Sequence, residues 1–162
     1  MTNEEVLKKF QEQFATVETK ADEPYGMLTI EVDSAAIHDV IAWFRDKMKF
    51  NFLTDLCGIH YPDKGKALGV IYHMHNLQDN FRVRLKTFVP VENPHVPTVT
   101  DLFSSANWME RETYDFFGII FDGHPNLTRI LNVDYLDYFP MRKEYPLEDP
   151  TREDKVDSYF GR

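Results

Sequence analysis

The side chains with the strongest claim to chemistry are two histidines, one thiol and a group of carboxylates, and spacing decides what each can do. His73 and His75 flank Met74. Residues two apart on a strand point to one face, as paired metal ligands do. A zinc site needs a third and fourth ligand; His60 and His95 are available, but no spacing singles either out. Ordinary strand histidines are the simpler reading, and a stand-alone metal-dependent enzyme is the sharper one. Cys57 is the only cysteine. It has no adjacent base to activate it, so it reads as an inert, buried thiol. A lone cysteine also excludes an internal disulfide, thiolate metal cages and iron–sulfur clusters within the chain. Glu110 and Glu112 are neighbouring carboxylates, but positions two apart on a helix do not face each other, so they make a poor acid–base pair. The chain has seven glycines and no GxGxxG or GxxxxGK run to cradle a phosphate, so neither NADH nor flavin binding is expected in it. His124, between Gly123 and Pro125, reads as a turn histidine bonded to backbone.

The elements that must position these groups follow from periodicity. Thr2 and Glu5 have capping-box spacing, and Val6, Leu7, Phe10 and Phe14 continue a helix over residues 2 to 15. Residues 17 to 26 read as a polar loop. Leu28, Ile30 and Val32 alternate with Thr29 and Glu31, as in a half-buried strand. Ile37, Val40, Ile41, Phe44 and Met48 make a helical apolar stripe within residues 35 to 50. Three strands follow at 52 to 60, 68 to 76 and 81 to 89, and their short connections favour antiparallel pairing. On the third strand Arg82, Arg84 and Lys86 share one face, either a solvated surface or a seat for an acidic partner. Pro90, Pro94 and Pro97 mark an extended connector.

The most distinctive stretch comes next. Trp108-Met109-Glu110-Arg111-Glu112-Thr113-Tyr114-Asp115-Phe116-Phe117 reads as a charged helix, with Gly118 as its left-handed stop. On a helical wheel Ala106, Met109, Thr113, Phe116 and Phe117 form the apolar side. Arg111 and Asp115 lie opposite and are spaced to pair. By itself this is a surface helix laced with ion pairs. Ile119 to Phe121 suggests a short strand, 122 to 125 a turn, and the chain beyond Asn132 an extended loop. The fold class is α+β: a mostly antiparallel sheet with helices packed on it, plus an extended C-terminal loop segment. Residues 1 to 150 form one domain and 151 to 162 a charged tail.

Composition narrows the partners. The formal net charge is -9, which disfavours nucleic acid and anionic lipid. No apolar run reaches the ~20 residues of a membrane span, and the polar, acidic N-terminus argues against a signal peptide. Membrane association would therefore come through another subunit. Aromatic residues make up 14% of the chain, enough for an aromatic core, a partner surface, or both.

One continuous word joins these observations. Glu110-Arg111-Glu112, Asp115-Phe116-Phe117-Gly118, Gly123-His124-Pro125, Leu127, Arg129-Ile130-Leu131 and Met141-Arg142-Lys143-Glu144-Tyr145-Pro146-Leu147 occur in that order. The string resembles the signature of the 30-kDa subunit family of respiratory complex I, closely so over residues 98 to 149. Met141 stands where the family more often has leucine, and the segment after Pro150 is short for the family.

The resemblance implies a non-catalytic subunit of the peripheral arm of a proton-translocating NADH:quinone oxidoreductase. The arm passes electrons from NADH through FMN and iron–sulfur clusters to quinone, and none of these cofactors is expected in this chain. It implies docking onto the large quinone-site subunit, beside other peripheral-arm subunits, on the cytoplasmic side of the inner membrane. The equivalent subunit of a membrane-bound hydrogenase-type complex is the nearest rival. Carried onto this sequence, the resemblance makes Glu110, Arg111, Glu112, Asp115, His124, Arg129, Arg142 and Lys143 the partner interface. It leaves Trp108, Met109, Phe116, Phe117 and Gly118 as structural residues.

Overall fold

Alternating apolar residues build one wall of the core. The computed structural model describes residues 1–145. In it β3 (Phe52–His60), β4 (Leu68–Asn76) and β5 (Phe81–Val89) form consecutive antiparallel pairs. Cross-strand rows such as Leu56–Tyr72–Leu85 place apolar side chains on one face, each of them buried. The boundaries of these three strands are those read from the sequence. The closing Pro146-Leu147 of the signature and the tail from 151 lie outside the described residues.

The sheet is larger than the sequence suggested. Its order is β1-β2-β5-β4-β3. β2 (Thr29–Val32) joins β5 in parallel, because α2 (Ile37–Asp46) and two further strands intervene and return the chain in the same direction. β1 (Thr19–Asp22) pairs antiparallel with β2, inside what reads in sequence as a loop. Its pattern is almost wholly exposed, so no apolar alternation announces it. An edge strand is held by its backbone ladder and does not need a buried face.

Three helices contribute to the core against the apolar face. α1 (Asn3–Gln13) begins with the expected capping box: the Glu5 amide donates to Thr2 Oγ1 at 3.3 Å and the Thr2 amide to Glu5 Oε2 at 2.9 Å. Its Phe10 stacks on Phe44 of α2, ring centroids 5.9 Å apart, and Phe44 meets Phe50 edge-on at 5.2 Å. α3 (Ala106–Phe117) packs on edge strand β3. Gly58 of β3 is the point of closest approach, where any Cβ would run into the Phe117 ring. A small parallel pair, β6 (His95–Pro97) and β7 (Ile120–Asp122), ties the connector before α3 to the strand after it. The segment from Gly123 to Tyr145 has no regular structure and lies against the far side of α3.

Candidate partner-docking surface

α3 is covered on two sides, and that decides what its charged residues do. Ala106, Glu110, Thr113 and Phe117 form the row that faces the sheet. Glu110 is fully buried there. Its Oε1 accepts from the Val99 amide at 2.8 Å and its Oε2 from the Thr98 hydroxyl at 2.6 Å. The carboxyl thus clasps the connector between β6 and α3. Burial pushes its pKa up to about 7 against the pull of those two bonds, with the Asp101 charge adding to the rise. The buried Tyr72 hydroxyl, which has no hydrogen-bond partner among the described residues, is held neutral by burial and by the Glu110 charge.

The shift has a consequence for stability. The folded state holds the Glu110 proton in a pH range where the unfolded chain has lost it. Stability therefore falls as pH rises from about 4.5, the ordinary value, to about 7. Glu110→Gln keeps an acceptor and removes the titration. Unfolding free energies from urea titrations at pH 5 and pH 8 should show the wild-type chain losing about 2–3 kcal/mol more than the variant over that range.

Asp115 lies on the other side of α3, beneath the C-terminal segment, and is also fully buried. Its Oδ2 accepts from the backbone amides of Ile130 at 3.1 Å, Leu131 at 2.8 Å and Asn132 at 2.9 Å. Its Oδ1 accepts from Arg129 Nη1 at 2.8 Å. Burial raises the carboxyl pKa, but those amides and the guanidinium outweigh it and hold the group well below the usual carboxylate range. Arg129 also donates to the carbonyls of Asp115, Leu136 and Tyr138, and its guanidinium lies 5.2 Å from the Phe139 ring centre.

The predicted Arg111–Asp115 pair is therefore absent. Arg111 donates instead to the carbonyls of Thr128 at 3.1 Å and Arg129 at 2.9 Å, and lies over the Trp108 ring. Arg142 Nε donates to the Phe117 carbonyl at 2.7 Å, with its guanidinium over Phe139. His124 accepts the Asn126 amide at Nδ1, which leaves Nε2–H to donate to the Asn107 carbonyl at 3.1 Å. It is the backbone-bonded turn histidine expected from Gly123-His124-Pro125. The Lys143 amide donates to His60 Nδ1 at 2.9 Å, fastening the segment to the end of β3. Gly118 caps α3 at φ 74°, and a Cβ there would strike the Phe139 ring.

Much of the charged signature is thus engaged within its own chain. Glu110 and Asp115 offer no surface. Arg111, Arg129 and Arg142 spend donors on their own chain, while Glu112 and Lys143 keep exposed side chains. Met109 and Phe117 are partly buried and pack against the core. Phe116 is only half-buried and lines a groove with Asp55, Cys57, Glu112 and Met141. Trp108 is 58% exposed.

The charges hold up an apolar strip. Leu131 is 65% exposed and Tyr135 87% exposed, and Val133, Tyr138, Met141 and Tyr145 also stand in solvent, with Trp108 adjoining through Arg111. The sequence signal for it is the aromatic-rich run Val133-Asp134-Tyr135-Leu136-Asp137-Tyr138-Phe139, which has no strand or helix period.

The metal candidates are occupied by other work. His73 accepts from Arg84 and faces Asp55, and His75 bonds Asn80 at 3.1 Å. Among the described residues no three His, Cys, Asp or Glu side chains gather as a metal site. Cys57 is half-buried, and burial pushes its thiol up to about 11, with Asp55 adding to the rise. No described helix is long and apolar enough to cross a membrane.

Comparison with known proteins agrees with this geometry. A family model described as respiratory-chain NADH dehydrogenase, 30 Kd subunit, matches residues 30–151. The NADH-quinone oxidoreductase C-subunit of Citrifermentans bemidjiense is 37% identical over 160 residues, covering 99% of this chain and 97% of the relative. Its counterpart from Mycolicibacterium paratuberculosis is 45% identical over 123 residues, and the match spans 74% of this chain but only 52% of that relative's length. Among solved structures, the trypsin-resistant fragment (1-134) of Nqo5 aligns with a TM-score of 0.69 at 35% identity, covering 78% of this chain and all of the fragment. A chain of a membrane-bound sulfane sulfur reductase, an archaeal respiratory membrane complex, shares the fold with a TM-score of 0.74 at 24% identity, covering 89% of this chain and 85% of that one. The signature helix, its two buried carboxylates and these likenesses meet in one conclusion: the chain belongs to the respiratory-chain NADH dehydrogenase 30-kDa subunit family.

Proposed function

We propose that this chain is a structural subunit of a proton-translocating NADH:quinone oxidoreductase, with no active site of its own. It works in the peripheral arm on the cytoplasmic side of the membrane, docked on the large subunit at the quinone site. NADH, FMN, the iron–sulfur clusters and quinone belong to its companions. The observation that carries this reading is the exposed strip from Leu131 to Tyr145. Apolar side chains left exposed together along one stretch of a charged protein mark an interaction site, and exposed aromatic residues are the usual energetic anchors of one. The strip is pre-formed, because Asp115, Arg129 and Arg142 fix its backbone before any partner arrives. Binding then costs less ordering entropy than a loose segment would. The subunit supports electron transfer from NADH to quinone by holding its neighbours in place.

The test is gentle purification of the tagged chain from membranes, with identification of its companions. The reading expects NADH- and flavin-binding subunits together with the large quinone-site subunit. A nickel-site subunit in their place would assign the chain to a hydrogenase-type complex. A chain that emerges alone would overturn the reading.

A further inference from the structure

On the outer face of the sheet α3 reaches edge strand β3, where Glu112 and Phe116 line the groove with Asp55, Cys57 and Met141, while Arg82, Arg84 and Lys86 on β5 keep exposed or half-buried side chains. Across the middle of that face runs a polar relay. Asp55, His73 and Arg84 are register partners on β3, β4 and β5. Arg84 Nε–H donates to His73 Nε2 at 2.8 Å, which leaves the imidazole proton on Nδ1, 3.4 Å from Asp55 Oδ2. Burial lowers the His73 pKa below its ordinary value, so the ring remains a neutral acceptor at neutral pH. The guanidinium plane of Arg84 is therefore fixed from behind. Both of its Nη groups have no hydrogen-bond partner among the described residues.

Arg82 and Lys86 flank Arg84 on the same face, and among the described residues neither has a carboxylate within salt-bridge distance. The nearest acidic neighbour in register with Lys86 is Glu31, which lies 3.9 Å from Lys20. Three aligned cations are unusual in a chain of formal net charge -9. A pre-oriented arginine fork loses little on binding and matches a carboxylate in two-point geometry.

Building on the subunit reading above, we propose that this face docks an acidic segment of a neighbouring subunit, with one carboxylate taken by the outward fork of Arg84 between Arg82 and Lys86. The contact centres on β5, two strands from the β3 edge where Met141 of the apolar strip meets Asp55 and Cys57, so the chain bridges two neighbours or clasps one from two sides. Electrostatic complementarity of this kind orients a partner, where the apolar strip supplies affinity.

Lysine acetylation read by mass spectrometry, comparing the gently purified complex with the separately purified full chain, tests this. The proposal expects Lys86 to be protected several-fold in the complex, and a zero-length carbodiimide to join it to an Asp or Glu of another subunit. Equal modification in the two samples, with companions still present, overturns the proposal and leaves the subunit reading standing. Protection that vanishes on removing lipid while the subunits stay together also overturns it, because the occupant is then a lipid phosphate. A chain that purifies alone overturns both.

Discussion

Replacing Asp115 with alanine should lower the unfolding free energy by about 3–5 kcal/mol, the range for removing one partner of a buried ion pair. That is a large share of the ~5–15 kcal/mol that holds a domain folded. The loss has three parts. Arg129, only 10% exposed at its side chain, is left without its carboxylate. The amides of Ile130, Leu131 and Asn132 lose their common acceptor. The segment they belong to then loses its main attachment to α3. Asp115→Asn keeps the shape but places an amide nitrogen where acceptors are needed, so it should also destabilise. The contribution is present above the ordinary carboxylate pKa and is lost only as pH falls through the depressed folded value. Urea unfolding at neutral pH gives the size of the effect. Limited trypsin digestion gives its location: cleavage at Arg129 should precede global unfolding in the variant. A loss below about 1 kcal/mol, ordinary for a single hydrogen bond, would show that the carboxylate is not the anchor described here.

Much of the fold was legible because period and turn chemistry agree. Phe81, Val83 and Leu85 alternate with Arg82, Arg84 and Lys86, and Pro62-Asp63-Lys64-Gly65 can only turn, so β3, β4 and β5 emerged with their boundaries. The Thr2–Glu5 box and the Gly118 stop were visible for the same reason: each is a local demand of the backbone. β1 was not legible, since Thr19-Lys20-Ala21-Asp22 buries no regular face. The parallel pairing of β2 with β5 is a long-range choice that no local pattern encodes.

The candidate site was legible as a word, but the burial of two of its carboxylates was not. Its helical wheel did carry one warning. Ala106, Thr113 and Phe117 define a row toward the sheet, and Glu110 sits inside that row. An acidic residue in an apolar row implies a buried clasp, here to Thr98 and Val99. Asp115 gave no such warning, because what buries it is the returning loop from 128 to 139, and a wheel knows only its own helix. Several charges read as interface contacts bond within the chain itself, and the exposed apolar residues beside them are the surface proposed above for docking.

That inversion makes the second large prediction. Leu131→Ser with Tyr135→Ser removes two exposed anchors and touches none of the side-chain bonds made by Asp115, Arg129 or Arg142. Surface changes of this kind alter stability by about 0.5 kcal/mol or less. An interface anchor is worth about 2 kcal/mol or more, so the pair should weaken partner binding by several hundred-fold if their effects add. The direct measurement is co-purification of the large quinone-site subunit with the tagged double variant, alongside its urea midpoint. The account predicts an unchanged midpoint and loss of the companion. A double variant that keeps its companion at the wild-type level would contradict it.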